Sequence, residues 1–218
     1  RPQLARLEGN AQRFRILTRL QIPENPGLQL TMATLAAFTK YPRTAGPRPE
    51  GRGVAGKKHG VLAAERPFLE EVARAVGLEG EDVPAPAEGA PAVRAWPRHP
   101  LAYLMEAADD ICYSILDIED GFRLGHVGYV EVAGRLERIV ERDPRFKPRK
   151  PATASERKEA IAYLRAKAIN QLANEVAAAF LEHEPALLDG HLGTPLADIV
   201  PSSAPLADIT AFTRDTCY

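Results

Sequence analysis

Residues 99–120 read HPLAYLMEAADDICYSILDIED, and this segment predicts one long helix. Pro100 suits a first helical turn, and Gly121 is expected to end the helix. Apolar side chains occupy most of its circumference, which is typical of a buried helix. Yet the segment holds six carboxylates, and no Lys or Arg occurs from 99 to 122. Because buried carboxylates are costly without a cation or a metal, the compensating charge must come from outside the segment.

Three side chains of this segment follow one another at intervals of four residues: Asp109, Tyr113 and Asp117. At that spacing they lie along one face of a helix, on successive turns. One interpretation is an ordinary solvated acidic face. The other is a site in which an Asp ligates a divalent metal. The apolar surroundings and the lack of local cations favour the second interpretation.

The rest of the sequence also has helical periodicity. Apolar spacing predicts helices over residues 3–20, 31–39, 63–77, 127–142 and 153–182, and a short one from about Pro205. Residues 41–60 and 79–97 are rich in Pro and Gly and are predicted to be loops, the second a flexible connection. Since no segment shows sustained alternation, strands are not expected. The sequence therefore predicts an all-α fold.

Composition places the chain among ordinary globular proteins: of 218 residues, 45% are hydrophobic and 26% charged. No apolar run approaches the roughly 18 residues of a membrane span, so no membrane partner is expected. Cys112 and Cys217 form no metal or redox motif, which favours a reducing compartment and predicts a cytoplasmic location. The five histidines stand in no ligand spacing.

Charge is distributed unevenly along the chain. The first 60 residues hold eleven Lys and Arg against three Glu, a balance of +8, so the remainder carries −9 within a total of −1. A basic front and an acidic back suit a site where phosphates meet a metal, although chance scatter gives the same balance without a function.

Four phrases, in order, carry a resemblance to a known family. EAADDICY (106–113) with LDIED (116–120) resembles the EAADDIxY…DxED signature of bacterial deoxyguanosine triphosphate triphosphohydrolases of the His-Asp (HD) superfamily. The earlier phrases are EGNAQ (8–12) with RILTR (15–19), GLQLT (27–31) with ATL (33–35) and KYP (40–42), and KKHG (57–60). The resemblance runs from about residue 7 to 125, with general similarity beyond.

The resemblance implies a fold and a set of roles. The fold would be an HD-type helical bundle in which residues 1–218 form part of one domain. Asp109 would be a metal ligand, Asp117 would accept from the 3′-hydroxyl of the deoxyribose, and the Tyr113 ring would crowd the 2′ position.

The resemblance also implies contacts with the triphosphate. Asn10, Lys40, Tyr41 and Lys58 would touch it or lie beside it, and a lysine ammonium is a natural point charge for phosphate.

The activity so implied is metal-dependent hydrolysis of a dGTP-like deoxynucleoside triphosphate to deoxynucleoside and tripolyphosphate, with Mg²⁺ or Mn²⁺. Family members often form homo-oligomeric rings, commonly hexamers, and some respond to single-stranded DNA. The family's His and His-Asp ligands and its catalytic His/Glu group precede the EGNAQ phrase. This chain has no His-Asp dipeptide. We therefore expect the catalytic residues upstream of Arg1, and an inactive stretch without them.

Two alternatives remain at this stage. One is a catalytically silent helical domain that binds nucleotides or a partner. The other is an HD phosphohydrolase that acts on a different phosphate ester.

Overall fold

The computed structural model describes residues 8–20, 24, 26–47, 53–83, 93–148, 151–190 and 192–217. These residues are mostly helical, which confirms the predicted all-α class. The α-helices are α1 (Gly9–Arg15), α2 (Met32–Phe38), α3 (Arg66–Ala75), α4 (Pro100–Arg123), α5 (Tyr129–Val140), α6 (Ala154–Glu182), α7 (Glu184–Leu188) and α8 (Ser203–Cys217). A π-helical turn, Ile16–Leu20, continues α1. The part of the first predicted helix before residue 8 lies outside the described residues.

The ends of the helices follow from local chemistry. Thr153 Oγ1 accepts from the Glu156 amide, and Glu156 Oε2 accepts from the Thr153 amide, each over 3.2 Å, so a capping box begins α6. The prediction that Gly121 ends α4 is wrong, because the helix continues to Arg123. One glycine costs a helix only about 1 kcal/mol. Packing also requires it, since a Cβ at Gly121 would lie 2.6 Å from Cys217 Sγ.

The predicted flexible loop over 79–97 needs a correction. Two short antiparallel strands, β1 (Glu81–Val83) and β2 (Val93–Ala95), pair with Glu81 opposite Ala95. Val93 and Ala95 are buried, as is Trp96. Three-residue strands are too short to show an alternation that sequence analysis could recognise. The residues between the two strands lie outside the described part of the chain.

The chain divides into two compact units. The first consists of two segments, Arg1–Glu106 and His183–Pro195. Its core contains an apolar cluster made by Phe14, Val61, Leu69, Ala73 and Trp96, and a second cluster that packs α2 against α3. The Tyr103 hydroxyl donates to the Leu192 carbonyl over 2.6 Å, so the returning segment is fastened to the start of α4.

The second unit consists of Ala107–Glu182 and Leu196–Tyr218. Here α5 packs along α6 and also contacts α8. The buried carboxylate of Glu119 accepts from Arg123 over 2.8 Å and from Arg165 over 2.7 Å, which ties α4 to α6. The prediction that residues 1–218 form part of one domain stays a prediction.

None of the helices in the described ranges combines the length and the apolar composition of a bilayer-crossing segment.

Candidate functional site

Asn10 and Lys40, two of the predicted triphosphate contacts, lie on the wall of one cavity in the first unit. The cavity has a volume of about 10 Å³, room for about one water molecule. Arg13 and Gly60 line it too, together with apolar side chains of α1 and α2. Two cationic side chains and an amide, donor types that bind phosphate oxygens, thus come together around a small, largely apolar cavity.

Asn10 is held in place by the residue that caps its helix. Glu8 Oε1 accepts from the Asn10 amide over 3.2 Å and from Asn10 Nδ2 over 2.7 Å. Partial burial of Glu8 raises the pKa of its carboxyl, but the hydrogen bonds from Asn10 and the charges of Lys58 and His59 together lower that pKa below its ordinary value. Glu8 is therefore ionised at neutral pH and fixes the Asn10 amide group.

Lys40 belongs to a buried network of three charged side chains. Its Nζ lies 3.3 Å from Glu106 Oε1, and Arg98 Nη1 lies 2.5 Å from Glu106 Oε2. The side chains of Lys40, Glu106 and Arg98 are 12%, 5% and 0% exposed. One carboxylate thus lies between two cations, so this network keeps a net charge of +1. Sequence analysis required an external cation for the acids of 99–120, and Arg98 and Lys40 provide it for Glu106.

Tyr41 is a buried residue that lies beside this network. Its ring is 5.5 Å from the Arg98 guanidinium carbon and 5.9 Å from Lys40 Nζ. The ring of Tyr103 faces Arg98 from 5.1 Å. Burial raises the pKa of the Tyr103 hydroxyl, and Glu106 raises it further against the opposing charge of Arg98. Arg98 thus lies within cation–π distance of two aromatic rings.

Lys58 lies on an exposed loop whose backbone is held by hydrogen bonds from Arg43. The buried Arg43 donates from Nε to the Lys58 carbonyl over 2.6 Å, and from Nη1 to the carbonyls of Thr44, Gly46 and Pro47. Burial, and then the charge of Arg43, lower the pKa of the neighbouring His59 below its ordinary value. The backbone of Lys58 is therefore fixed. The imidazole of the neighbouring His59 is neutral at pH 7.

Gly60 ends this loop at a point of close backbone approach. A Cβ at this position would lie 2.3 Å from the Tyr41 carbonyl oxygen and 3.3 Å from Thr39 Cγ2. Only glycine permits that approach. It brings the KKHG phrase against the KYP phrase, from which fourteen residues of sequence separate it.

The remaining predicted site residues belong to the second unit. Asp109, Tyr113 and Asp117 occur along one face of α4, as predicted, and Tyr113 is 65% exposed while the two aspartates are half-buried. Within the described ranges neither aspartate forms an ion pair. The expectation that α4 is buried nearly all round is wrong. One side of α4 is exposed, and it carries Leu101, Ala108, Cys112, Tyr113 and Leu116. No residue that the structure describes covers this side.

The described residues do not by themselves fit a metal ion. No group of three or more His, Cys, Asp or Glu side chains comes together among them. Asp109 could supply one oxygen ligand, whereas a divalent cation needs several. The residues that the structure describes therefore form one part of a metal centre at most.

The residues that hold the predicted site residues in place were not predicted from the sequence. Arg98 lies directly before the EAADD helix and Arg43 directly after the KYP phrase, but both read as ordinary surface cations. Arg13 reaches the cavity because it follows Asn10 by one helical turn, a spacing that the sequence did contain. Burial of Arg43 and Arg98 depends on tertiary structure and leaves no local signal.

Comparison with known proteins agrees with the phrases found in the sequence. A protein of Synechocystis named deoxyguanosinetriphosphate triphosphohydrolase-like protein is 44% identical over 220 residues, covering 98% of this chain and 46% of that protein. The chain is related to the deoxyguanosinetriphosphate triphosphohydrolases. A like-named protein of Pseudomonas aeruginosa is 38% identical over 94% of the chain and 44% of its own length. The deoxyguanosinetriphosphate triphosphohydrolase of Yersinia pestis is 28% identical over 96% of the chain and 40% of its own length.

The chain thus spans less than half the length of these triphosphohydrolase relatives. No family model matches it. The relationship covers both units, since the alignments include almost all of its residues.

Proposed function

We propose that this chain is part of an enzyme that hydrolyses deoxynucleoside triphosphates, dGTP among them, to deoxynucleoside and tripolyphosphate. The observation that carries the proposal is that Asn10, Lys40 and Gly60, from three of the phrases that resemble the triphosphohydrolases, meet around one cavity. The names of the relatives supply the reaction class.

The proposed reaction is a single displacement at phosphorus. A water oxygen forms a bond to the α-phosphorus, and the bond from that phosphorus to the 5′-oxygen of the deoxyribose breaks. The 5′-oxygen leaves with a proton as the nucleoside hydroxyl, and the triphosphate leaves as tripolyphosphate. Negative charge on the phosphate oxygens is stabilised by cations fixed before the substrate arrives.

In this proposal some of the predicted residues bind the phosphates and others the sugar. Lys40 and Lys58 bind phosphate oxygens as point charges, and Asn10 donates an amide hydrogen bond. Tyr41 lies beside Lys40, with its ring centroid 5.9 Å from the Lys40 ammonium. On α4, Asp117 accepts from the 3′-hydroxyl and the Tyr113 ring disfavours a 2′-hydroxyl.

A divalent cation, Mg²⁺ or Mn²⁺, belongs to the proposal as a cofactor, with Asp109 as one ligand. When bound it would neutralise phosphate charge. The other ligands and the group that acts on water would come from residues outside this chain, so the chain alone should not turn over.

The test measures tripolyphosphate released from dGTP by the full-length protein, with Lys40→Met beside wild type. Loss of Lys40 should raise the KM at least about tenfold, because a charge-assisted contact to phosphate disappears. Lys147→Met, which removes an exposed lysine of the second unit, is the matched control. A wild-type protein that releases no tripolyphosphate would contradict the proposal.

A second candidate is a helical domain that binds nucleotides without turning them over. This candidate predicts that dGTP binds to the full-length protein, yet no product forms even with metal added. Oligomeric rings, a response to single-stranded DNA and a cytoplasmic location stay predictions.

A further inference from the structure

Glu106 is the only member of the Lys40–Glu106–Arg98 network that can connect its two cations. Its Oε1 lies 3.3 Å from Lys40 Nζ and also 3.3 Å from Arg98 Nη2, while its Oε2 lies 2.5 Å from Arg98 Nη1. Arg98 is fully enclosed and lies within cation–π distance of Tyr41 and Tyr103, so the carboxylate that it binds is fixed as well.

We propose that Glu106 is a positioning residue, anchored by Arg98, that holds the Lys40 ammonium in place for a phosphate group of the triphosphate. This inference rests on the proposed function. An ammonium has three N–H donors, so Lys40 can donate to Glu106 and to a phosphate oxygen at the same time. A lysine side chain has several rotatable bonds, and fixing it before binding removes the entropy cost of ordering it later.

Arg98 makes this arrangement compatible with an anionic ligand. A lone carboxylate beside Lys40 would cancel the charge that attracts phosphate and would be costly to bury. With Arg98 bound to the same carboxylate, the network keeps a charge of +1. Glu106 can therefore orient Lys40 without neutralising the site.

The direction of one substitution separates positioning from simple charge. Glu106→Gln removes a negative charge near the cavity, and long-range electrostatics alone would then strengthen the binding of an anion. Positioning predicts the opposite, because Lys40 loses its fixed acceptor. Glu119→Gln is a matched control, since Glu119 is equally buried on the same helix and accepts from two arginines.

The experiment titrates inorganic tripolyphosphate into the full-length protein by calorimetry and measures dGTP turnover in parallel. We expect Glu106→Gln to weaken tripolyphosphate binding about tenfold and to raise the KM for dGTP more than it lowers kcat. Glu119→Gln should change binding less than about twofold. The double variant Glu106→Gln/Lys40→Met should bind no more weakly than Lys40→Met alone, because Glu106 acts through Lys40.

Three results would overturn the inference: unchanged or tighter binding by Glu106→Gln, full additivity in the double variant, or an equal effect of Glu119→Gln. Should Glu106→Gln fail to fold, Glu106→Asp keeps the charge but withdraws it from Lys40, and binding as tight as wild type would again overturn the inference. A wild-type protein that turns over no dGTP contradicts the proposed function instead, whereas active wild type with an indifferent Glu106 contradicts only the positioning role.

Discussion

The guanidinium of Arg43 donates from Nε to the carbonyl oxygen of Lys58 over 2.6 Å, across fifteen residues of sequence. The same side chain serves three further backbone carbonyls. One buried cation therefore fixes the loop that carries a predicted phosphate contact.

Arg43→Lys should loosen that loop. A lysine cannot reproduce the planar fork of donors, and carbonyls left without partners are costly. We expect the free energy of unfolding to fall by about 2 kcal/mol or more. Urea denaturation of the full-length protein measures it, and trypsin should cleave after Lys58 more rapidly. Arg145→Lys, at a side chain 86% exposed, is the control, and equal stability losses in the two variants would contradict the prediction.

Asp109→Ala in the full-length protein should abolish metal-dependent release of tripolyphosphate, because the proposed centre loses a carboxylate ligand. Asp120→Ala removes an exposed carboxylate from the same helix and should retain activity. Turnover and Mn²⁺ affinity are measured on both variants. An Asp109→Ala protein that keeps wild-type turnover would exclude this residue as a ligand.

Asp117→Ala should mainly weaken recognition of the sugar. We expect the KM for dGTP to rise by about tenfold, since a charged acceptor for the 3′-hydroxyl is lost. The comparison with 2′,3′-dideoxy-GTP is informative, because that substrate lacks the hydroxyl and should be insensitive to the substitution. An unchanged KM for dGTP would mean that Asp117 does not touch the sugar.

Tyr113→Ala should relax discrimination between sugars. The ring is mostly exposed, so its removal should leave the fold intact. If the ring crowds the 2′ position, the ratio of kcat/KM for dGTP to that for GTP should fall at least about tenfold. Steady-state kinetics with both nucleotides measures this ratio, and Tyr113→Phe should preserve it. A constant ratio in Tyr113→Ala would reject the proposed role.

The stability conferred by Glu8 should depend on pH. Since its pKa in the folded protein lies below the ordinary value of 4.5, the folded state binds this proton less readily than the unfolded state. The contribution of ionised Glu8 to the free energy of unfolding is present above pH 4.5. It is lost as the pH falls through the pKa of Glu8 in the folded protein. The free-energy difference between wild type and Glu8→Gln, measured in urea, should therefore shrink over that interval. A difference that stays constant down to pH 3 would contradict this account.

The predictable features were local ones. Helical periodicity, the capping box of Thr153 and Glu156, and the common face of Asp109, Tyr113 and Asp117 all depend on residues close in sequence. The network of Lys40, Arg98 and Glu106 could not be predicted. Lys40 follows α2, Arg98 precedes α4 and Glu106 lies on α4, so these charges come together only in the folded chain. The exposed side of α4 was also unpredictable, since apolar composition does not say which side meets a partner.

The first unit is closed by a segment that returns after residue 182, and Tyr103 binds that segment at the Leu192 carbonyl. The chain passes between the units three times, so no single proteolytic cut can release either unit intact. During synthesis on the ribosome, the first unit also cannot be completed until most of the second has already emerged from the exit tunnel.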